Sequence, residues 1–135
     1  MAGNVYIVRA GKFIKIGFAT DVPRRLAQLQ TGTSEPLQLL AVIPECTMKL
    51  EKLLHLRLAD FKERGEWFRY TGRCRAFIVT IMSGARPKTA ADIDNLWEFA
   101  AGMGALQNAR RTLANPASTH EQLKEAHIVL RSLTH

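Results

Sequence analysis

The sequence predicts an α+β fold: a small domain of strands and helices over residues 1–84, followed by a helical extension over residues 85–135. A strand hairpin rich in β-branched residues opens the chain, whereas apolar residues recur at helical spacing in most later segments. The turn-forming segment Gly84–Lys88 marks the boundary between the two parts. A chain of 135 residues can bury one sizeable core, so two full-sized domains are excluded.

The first two strands form a predicted hairpin. Val5–Arg9 and Phe13–Ile16 are short runs of β-branched and aromatic residues, and Ala10–Lys12 between them is a turn signal. Because side chains alternate along a strand, Lys15 is expected on the face opposite its two apolar neighbours. Gly17 ends the second strand.

A first helix is predicted to begin at a cap, Thr20 or Asp21, and to end before Gly32. Its leucines share a face suited to the core. Arg25 leaves the helix on a different face and is therefore available for function.

A third strand, Leu37–Ile43, and a second helix, Thr47–Phe61, follow along the chain. Glu51 and His55 stand four residues apart in this helix. They are therefore expected to share one helix face and to reach a common point.

Two further elements are predicted before the boundary: an edge strand at Trp67–Tyr70 and a helix or buried segment at Arg75–Met82. In the extension, Thr89 and Asp92 have the spacing of a capping box and open a helix that the glycine-rich step Gly102–Gly104 weakens. A further helix closes the chain.

Composition and charge narrow the class of protein. Apolar residues make up 47% and charged residues 23%, which is typical of a globular protein and excludes a disordered one. No apolar run approaches the length of a membrane span and no secretory signal is visible, so a cytoplasmic location is expected. The net charge of +7 lies entirely in residues 1–86, which hold 14 Lys and Arg against 7 Asp and Glu. That part should attract a polyanion, although many cytosolic proteins are simply basic.

Five ordered motifs in the first part resemble the GIY-YIG nuclease superfamily. At the level of a subfamily found in phage and bacterial genomes, they are Val5-Tyr6-Ile7, Lys15-Ile16-Gly17, Leu29-Gln30-Thr31-Gly32, the helix from Glu51 to His55, and Gly65-Glu66-Trp67-Phe68. The resemblance covers a little over half of the chain. It implies a three-stranded antiparallel sheet flanked by helices, DNA as the partner, and metal-dependent endonuclease activity that nicks one strand per site.

The resemblance implies five catalytic residues: Tyr6, Lys15, Arg25, Glu51 and His55. Tyr6 helps to activate water, and because a phenol is mostly protonated at neutral pH it needs a cation nearby. Lys15, which replaces the second tyrosine of the superfamily pattern, and Arg25 stabilise charge on the phosphate. Glu51 is the metal-binding carboxylate for Mg²⁺ or Mn²⁺. Taken alone, Tyr6 is also a core aromatic, Lys15 a solvated strand lysine, and Glu51 a surface glutamate.

His55 has three possible roles: a second metal ligand, a proton carrier, or a helix-packing residue. Six further basic residues are predicted to bind DNA: Lys12, Arg24, Arg57, Lys62, Arg64 and Arg69. A catalytically inactive DNA-binding or protein-interaction module is the alternative function. The extension could dock a second copy or a protein partner through Trp97, Phe99 and Met103, or these residues could pack on the first part.

Overall fold

The computed structural model describes the backbone of residues 2–114, 117 and 119–133, and the side chains of residues 2–102, 117, 119–124, 127 and 128. The strands are β1 (Gly3–Ala10), β2 (Phe13–Ala19), β3 (Gln38–Cys46), β4 (Lys62–Arg64) and β5 (Trp67–Arg69). The helices are α1 (Val22–Thr31), α2 (Met48–Arg57), α3 (Gly72–Met82), α4 (Ala90–Ala114) and α5 (His120–Leu133). A short 3₁₀ turn, Ala59–Phe61, follows α2.

The strands form one antiparallel sheet in the order β3-β1-β2-β5-β4. The α+β class is thus confirmed, but the expected number of three strands is wrong, since the described sheet has five. The strand at Trp67 is not at an edge, because β4 pairs along its outer side. β4 consists of three exposed charged residues, so it lacks the alternation of apolar and polar residues from which a strand is predicted.

The two faces of the sheet bury different clusters. Val5 and Ile7 of β1 enter the larger core, which α2 and α3 cover. Tyr6 and Val8 face the other way and pack with residues of α1, such as Val22. In β2, the neighbours of Lys15 belong to the larger core, so alternation places Lys15 on the α1 face, as predicted.

Two helices begin at their predicted caps, whereas the second helix, predicted to reach Phe61, ends at Arg57. The Asp21 carboxylate accepts a hydrogen bond from the Arg24 N–H at 3.1 Å and begins α1. At the start of α4, the Thr89 hydroxyl accepts from the Asp92 N–H at 3.1 Å, and the Asp92 carboxylate accepts from the Thr89 N–H at 3.0 Å. The predicted capping box is therefore confirmed.

The extension packs on the first part through α4. Ile93, Trp97 and Ala100 are buried in the larger core, and the Trp97 ring meets Phe77 edge-on with 5.5 Å between ring centroids. For Trp97 the packing interpretation is confirmed, whereas Phe99 is 60% exposed.

The side chain of Met103 lies outside the described residues. The helix α4 runs through Gly102 to Ala114 without a break, so the glycine step does not end it. Within the described part of the chain, no helix combines the length and the apolar character needed to cross a bilayer. Docking of a partner on the extension stays a prediction.

Candidate active site

The predicted catalytic residues gather at the half of β2 that β5 leaves uncovered. β5 pairs with β2 only from Phe13 to Lys15. The next residue of β2, Ile16, donates its backbone N–H to the Glu66 carbonyl at 3.4 Å, and the pairing along this side of β2 ends there. The chain beyond this point, around Gly17, lies between α1 on one face and α2 on the other.

Tyr6 is 1% exposed and its ring lies directly across Gly17, its partner in the β1–β2 pairing. A Cβ atom at Gly17 would stand 2.3 Å from the Tyr6 hydroxyl oxygen and 2.4 Å from Cζ. Only glycine leaves room for this ring position, because real Cβ contacts are essentially never so short.

Tyr6 has the largest influence on the charge of Arg25. A side-chain hydrogen bond and then the Coulomb attraction between these two residues raise the pKa of Arg25 above its ordinary value, and the charge of Glu66 adds to the effect. Arg25 is exposed. Tyr6 is thus confirmed as a core aromatic, while its catalytic role stays a prediction.

Lys15 is enclosed and paired. Its side chain is 13% exposed, and its ammonium lies 3.1 Å from a carboxylate oxygen of Glu66. The same ammonium lies 5.8 Å from the centroid of the Trp67 ring. The interpretation of Lys15 as a solvated strand lysine is therefore wrong.

Glu51 projects from α2 toward the same edge of the sheet. Its side chain is 14% exposed, and its ion-pair partner among the described residues is His55, at 3.9 Å between Oε1 and Nε2. Burial and then the negative charge of Glu66 raise the pKa of Glu51, against the opposing effect of His55 and Lys15. Glu51 therefore lies within electrostatic reach of both members of the Lys15–Glu66 pair.

His55 holds α2 against β2. Its Nε2 atom lies 2.8 Å from the Ile16 carbonyl oxygen, and because a carbonyl only accepts, Nε2 carries the hydrogen and donates. The ring also meets Phe68 edge-on at 5.0 Å between centroids. Nε2 is thus engaged, and among the three roles predicted for His55 the geometry favours packing that positions Glu51.

Glu51 and its surroundings fit a magnesium ion whose remaining ligands would be water and phosphate oxygens of the substrate. Among the described side chains no three His, Cys, Asp or Glu residues converge to hold a metal. Magnesium needs no such cage, since it keeps several waters and takes one or two carboxylates together with substrate phosphates. A part-buried Glu51 whose pKa a second carboxylate raises is a suitable anchor, because a cation would stabilise both negative charges.

The six predicted DNA-binding residues divide into two groups. Lys12, Arg24, Lys62 and Arg64 are exposed, without an ion pair among the described residues. By contrast, Arg57 is paired with Asp94 of α4. Arg69 is paired with Glu63 at 3.3 Å. The positive charges of Arg57 and Arg69 are therefore partly neutralised by acidic residues of the same chain.

Sequence reasoning missed two arginines that lie over one tyrosine ring. Arg9 of β1 lies 5.1 Å from the centroid of Tyr70, and Arg75 of α3 lies 5.5 Å from it. Neither arginine has an ion pair among the described residues. Both lie in mainly buried elements that are far apart in the chain, β1 and α3. No local pattern in the sequence therefore predicts that they meet.

Fold and site together define a small α+β domain in which the cations Lys15 and Arg25 lie near the carboxylates of Glu51 and Glu66 at an open strand edge. Cations of this kind suit a protein that acts on a polyanion. The family model of the T5orf172 domain matches residues 3–83, more than half of the chain, and the protein belongs to this family. The T5orf172 domain is a phage-associated domain of nuclease-like, DNA-binding character, which supports a function on DNA at that general level.

The family match corrects the assignment made from the sequence. The GIY-YIG assignment is wrong, because the family whose model fits this chain is the T5orf172 domain. The motifs behind that assignment are short pieces such as Lys15-Ile16-Gly17, and strand ends of this composition are not specific to one family. No curated protein and no solved structure matches the chain significantly. The roles of the site residues therefore rest on their geometry.

Proposed function

We propose that this protein is a metal-dependent DNA endonuclease that hydrolyses one phosphodiester bond per site and so nicks one strand. One observation carries the proposal: Tyr6, Lys15, Arg25 and Glu51 come from four different elements and gather at one open strand edge. Tyr6 acts on the charge of Arg25, and Glu66 acts on Arg25, Lys15 and Glu51. Folding brings together the cations and the carboxylate that phosphodiester chemistry needs.

Arg25 and Lys15 bind and stabilise the phosphate. Arg25 is exposed and permanently charged, and Tyr6 has the largest influence on its charge. Its planar donors can meet two phosphate oxygens at once. Lys15 is mostly enclosed and supplies a point charge at a fixed place. Preorganised charges of this kind stabilise the negative charge that develops as water attacks phosphorus.

Tyr6, Glu51 and His55 prepare the attack. The Tyr6 hydroxyl, fixed beside Arg25, accepts a hydrogen bond from the attacking water and orients it. Glu51 would hold Mg²⁺ or Mn²⁺, which when bound supplies Lewis-acid neutralisation of the phosphate charge. His55 keeps Glu51 at the site through its bond to the Ile16 carbonyl. A single site of this kind acts on one strand, and double-strand cleavage requires two copies or two successive events.

The second candidate is a DNA-binding module without cleavage. It is favoured by the Lys15–Glu66 ion pair, in which a cation needed for phosphate stabilisation is already neutralised by the protein. This candidate predicts salt-sensitive DNA binding and no nicking with either Mg²⁺ or Mn²⁺.

The decisive experiment is nicking of supercoiled plasmid by the purified protein across a series of Mg²⁺ and Mn²⁺ concentrations, with EDTA as the blank. We expect Glu51→Gln and Arg25→Gln each to lower the rate by about 100-fold or more, because each removes a group aimed at the reacting phosphate. Glu63→Gln and Lys49→Gln are matched controls, since each removes a like charge at an exposed position away from Tyr6 and Glu51.

Circular dichroism and urea unfolding show whether each variant keeps its fold. Undiminished nicking by either folded site variant contradicts the proposal. Absence of nicking by the wild type under every metal condition, together with DNA binding, establishes the second candidate instead.

A further inference from the structure

Among the residues that the structure describes, Glu66 is the acidic side chain that contacts or electrostatically affects three members of the proposed site. Its carboxylate lies 3.1 Å from the Lys15 ammonium. Its charge also raises the pKa of Arg25 and that of Glu51. Glu66 therefore contacts one of the cations that would receive the phosphate and lies near enough to Arg25 and Glu51 to act on their charges.

Exposure shows on which side of Lys15 this carboxylate lies. The Glu66 side chain is 43% exposed and that of Lys15 only 13%, so Glu66 is the outer member of the pair. A DNA phosphate reaches Lys15 from solvent. A phosphate oxygen and the Glu66 carboxylate then compete for the same ammonium group, and an enclosed lysine has little freedom to meet the phosphate elsewhere.

Only the side chain of Glu66 has to move for this exchange. The Glu66 carbonyl accepts the Ile16 N–H, and the next residue, Trp67, pairs with Lys15 in the β2–β5 register. The backbone is thus anchored to β2 while the carboxylate reaches toward solvent. Release of the carboxylate leaves the strand pairing intact.

We propose that Glu66 occupies the place of the scissile phosphate on Lys15 in the DNA-free protein and is displaced by that phosphate when DNA binds. This inference rests on the proposed function and adds a regulation of the same site. Glu66 holds Lys15 in position without DNA and lowers the affinity for any anion that cannot replace it. An ion pair with one member open to solvent is weak, so the expected effect on DNA affinity is about threefold to tenfold.

The test measures binding of a fluorescently labelled DNA duplex by anisotropy, in EDTA and at fixed salt, so that no cleavage is involved. We expect Glu66→Gln to bind about threefold to tenfold more tightly than the wild type, because the competing carboxylate is gone. In a Lys15→Gln background the same substitution should give no such gain. In a Lys15→Arg background, which keeps the cation, the gain should persist.

Glu63→Gln is the matched control. Glu63 belongs to the same β4–β5 hairpin, is 49% exposed, and pairs with Arg69 at 3.3 Å, so its removal deletes an equal charge beside a different cation. Any gain from Glu63→Gln should survive Lys15→Gln, because Glu63 has no ion pair with Lys15. This contrast separates displacement at Lys15 from a general loss of negative charge.

Equal affinities of Glu66→Gln and wild type overturn the inference, as does a gain that is unchanged in the Lys15→Gln background. Absence of measurable DNA binding by both proteins overturns it as well. The plasmid assay decides the proposed function separately: a protein that nicks DNA but lacks the Lys15–Glu66 coupling keeps its function and loses only this inference.

Discussion

Gly17→Ala is expected to damage the site more than it damages the fold. Tyr6 lies across the Gly17 backbone, and an added Cβ would stand 2.4 Å from the Tyr6 Cζ atom. Ordinary van der Waals contact begins at 3.4 Å, so the ring has to withdraw by about 1 Å. The ring is buried on the α1 face, and it can withdraw only by disturbing its neighbours in that cluster.

Two magnitudes follow from this displacement. Overpacking of a well-packed core costs about 1–3 kcal/mol of unfolding free energy. The Tyr6 hydroxyl also leaves its place beside Arg25, and a misplacement of about 1 Å in a catalytic group costs on the order of 100-fold in rate. Gly17→Ala should therefore leave a folded protein that nicks DNA about 100-fold more slowly.

Urea unfolding and single-turnover nicking measure the two effects. Gly32→Ala is the matched control. The nearest atom to a Cβ at this position is the Leu29 carbonyl oxygen at 3.6 Å, and the φ of −90° at Gly32 suits any residue. If Gly17→Ala nicks DNA at the wild-type rate, the assignment of Tyr6 and Arg25 to the reaction is refuted. If its stability is also unchanged, the position of the Tyr6 ring is refuted too.

Two further predictions concern charge. Burial and then the charge of Glu66 raise the pKa of Glu51, so its metal-binding ionised form is lost as pH falls through a pKa above that of an ordinary glutamate. In nicking assays at subsaturating magnesium, Glu66→Gln should move this loss to lower pH, and coincident pH profiles would contradict the assignment. Arg75 is exposed and has no ion pair among the described residues, so we expect it to contact a DNA phosphate. Arg75→Gln should then reduce the slope of log Kobs against log[salt] for DNA binding by about 0.9. Arg73→Gln should leave that slope unchanged, since Arg73 is already paired with Glu98 at 3.2 Å, and equal slopes in all three proteins would exclude Arg75 from the DNA interface.

The fold could be predicted from the sequence wherever burial produces a pattern. Ile14 and Ile16 lie on one face of the sheet and Lys15 between them lies on the other, and this alternation predicts both the strand and its orientation. The caps at Asp21 and Thr89 are equally local. β4 could not be predicted, because its residues bury nothing and the strand exists only through its pairing with β5.

The site divides in the same way. Glu51 and His55 share a helix face by their spacing alone, so their proximity could be predicted. The contact between Glu66 and Lys15 depends on the register that pairs Lys15 with Trp67, which no local pattern specifies. The bond from His55 to the Ile16 carbonyl likewise requires α2 to pack on β2, and this packing limits the role of His55.

The buried indole of Trp97 shows that the end of the family match and the end of the hydrophobic core fall at different places in the chain. Similarity to the T5orf172 family ends at residue 83, yet Ile93, Trp97 and Ala100 fill the same core as the first strands. The segment that matches the family model is therefore shorter than the segment that builds the hydrophobic core. In this protein the segment that matches the family would therefore leave part of its core open to water without α4, so its stability depends on residues outside the match.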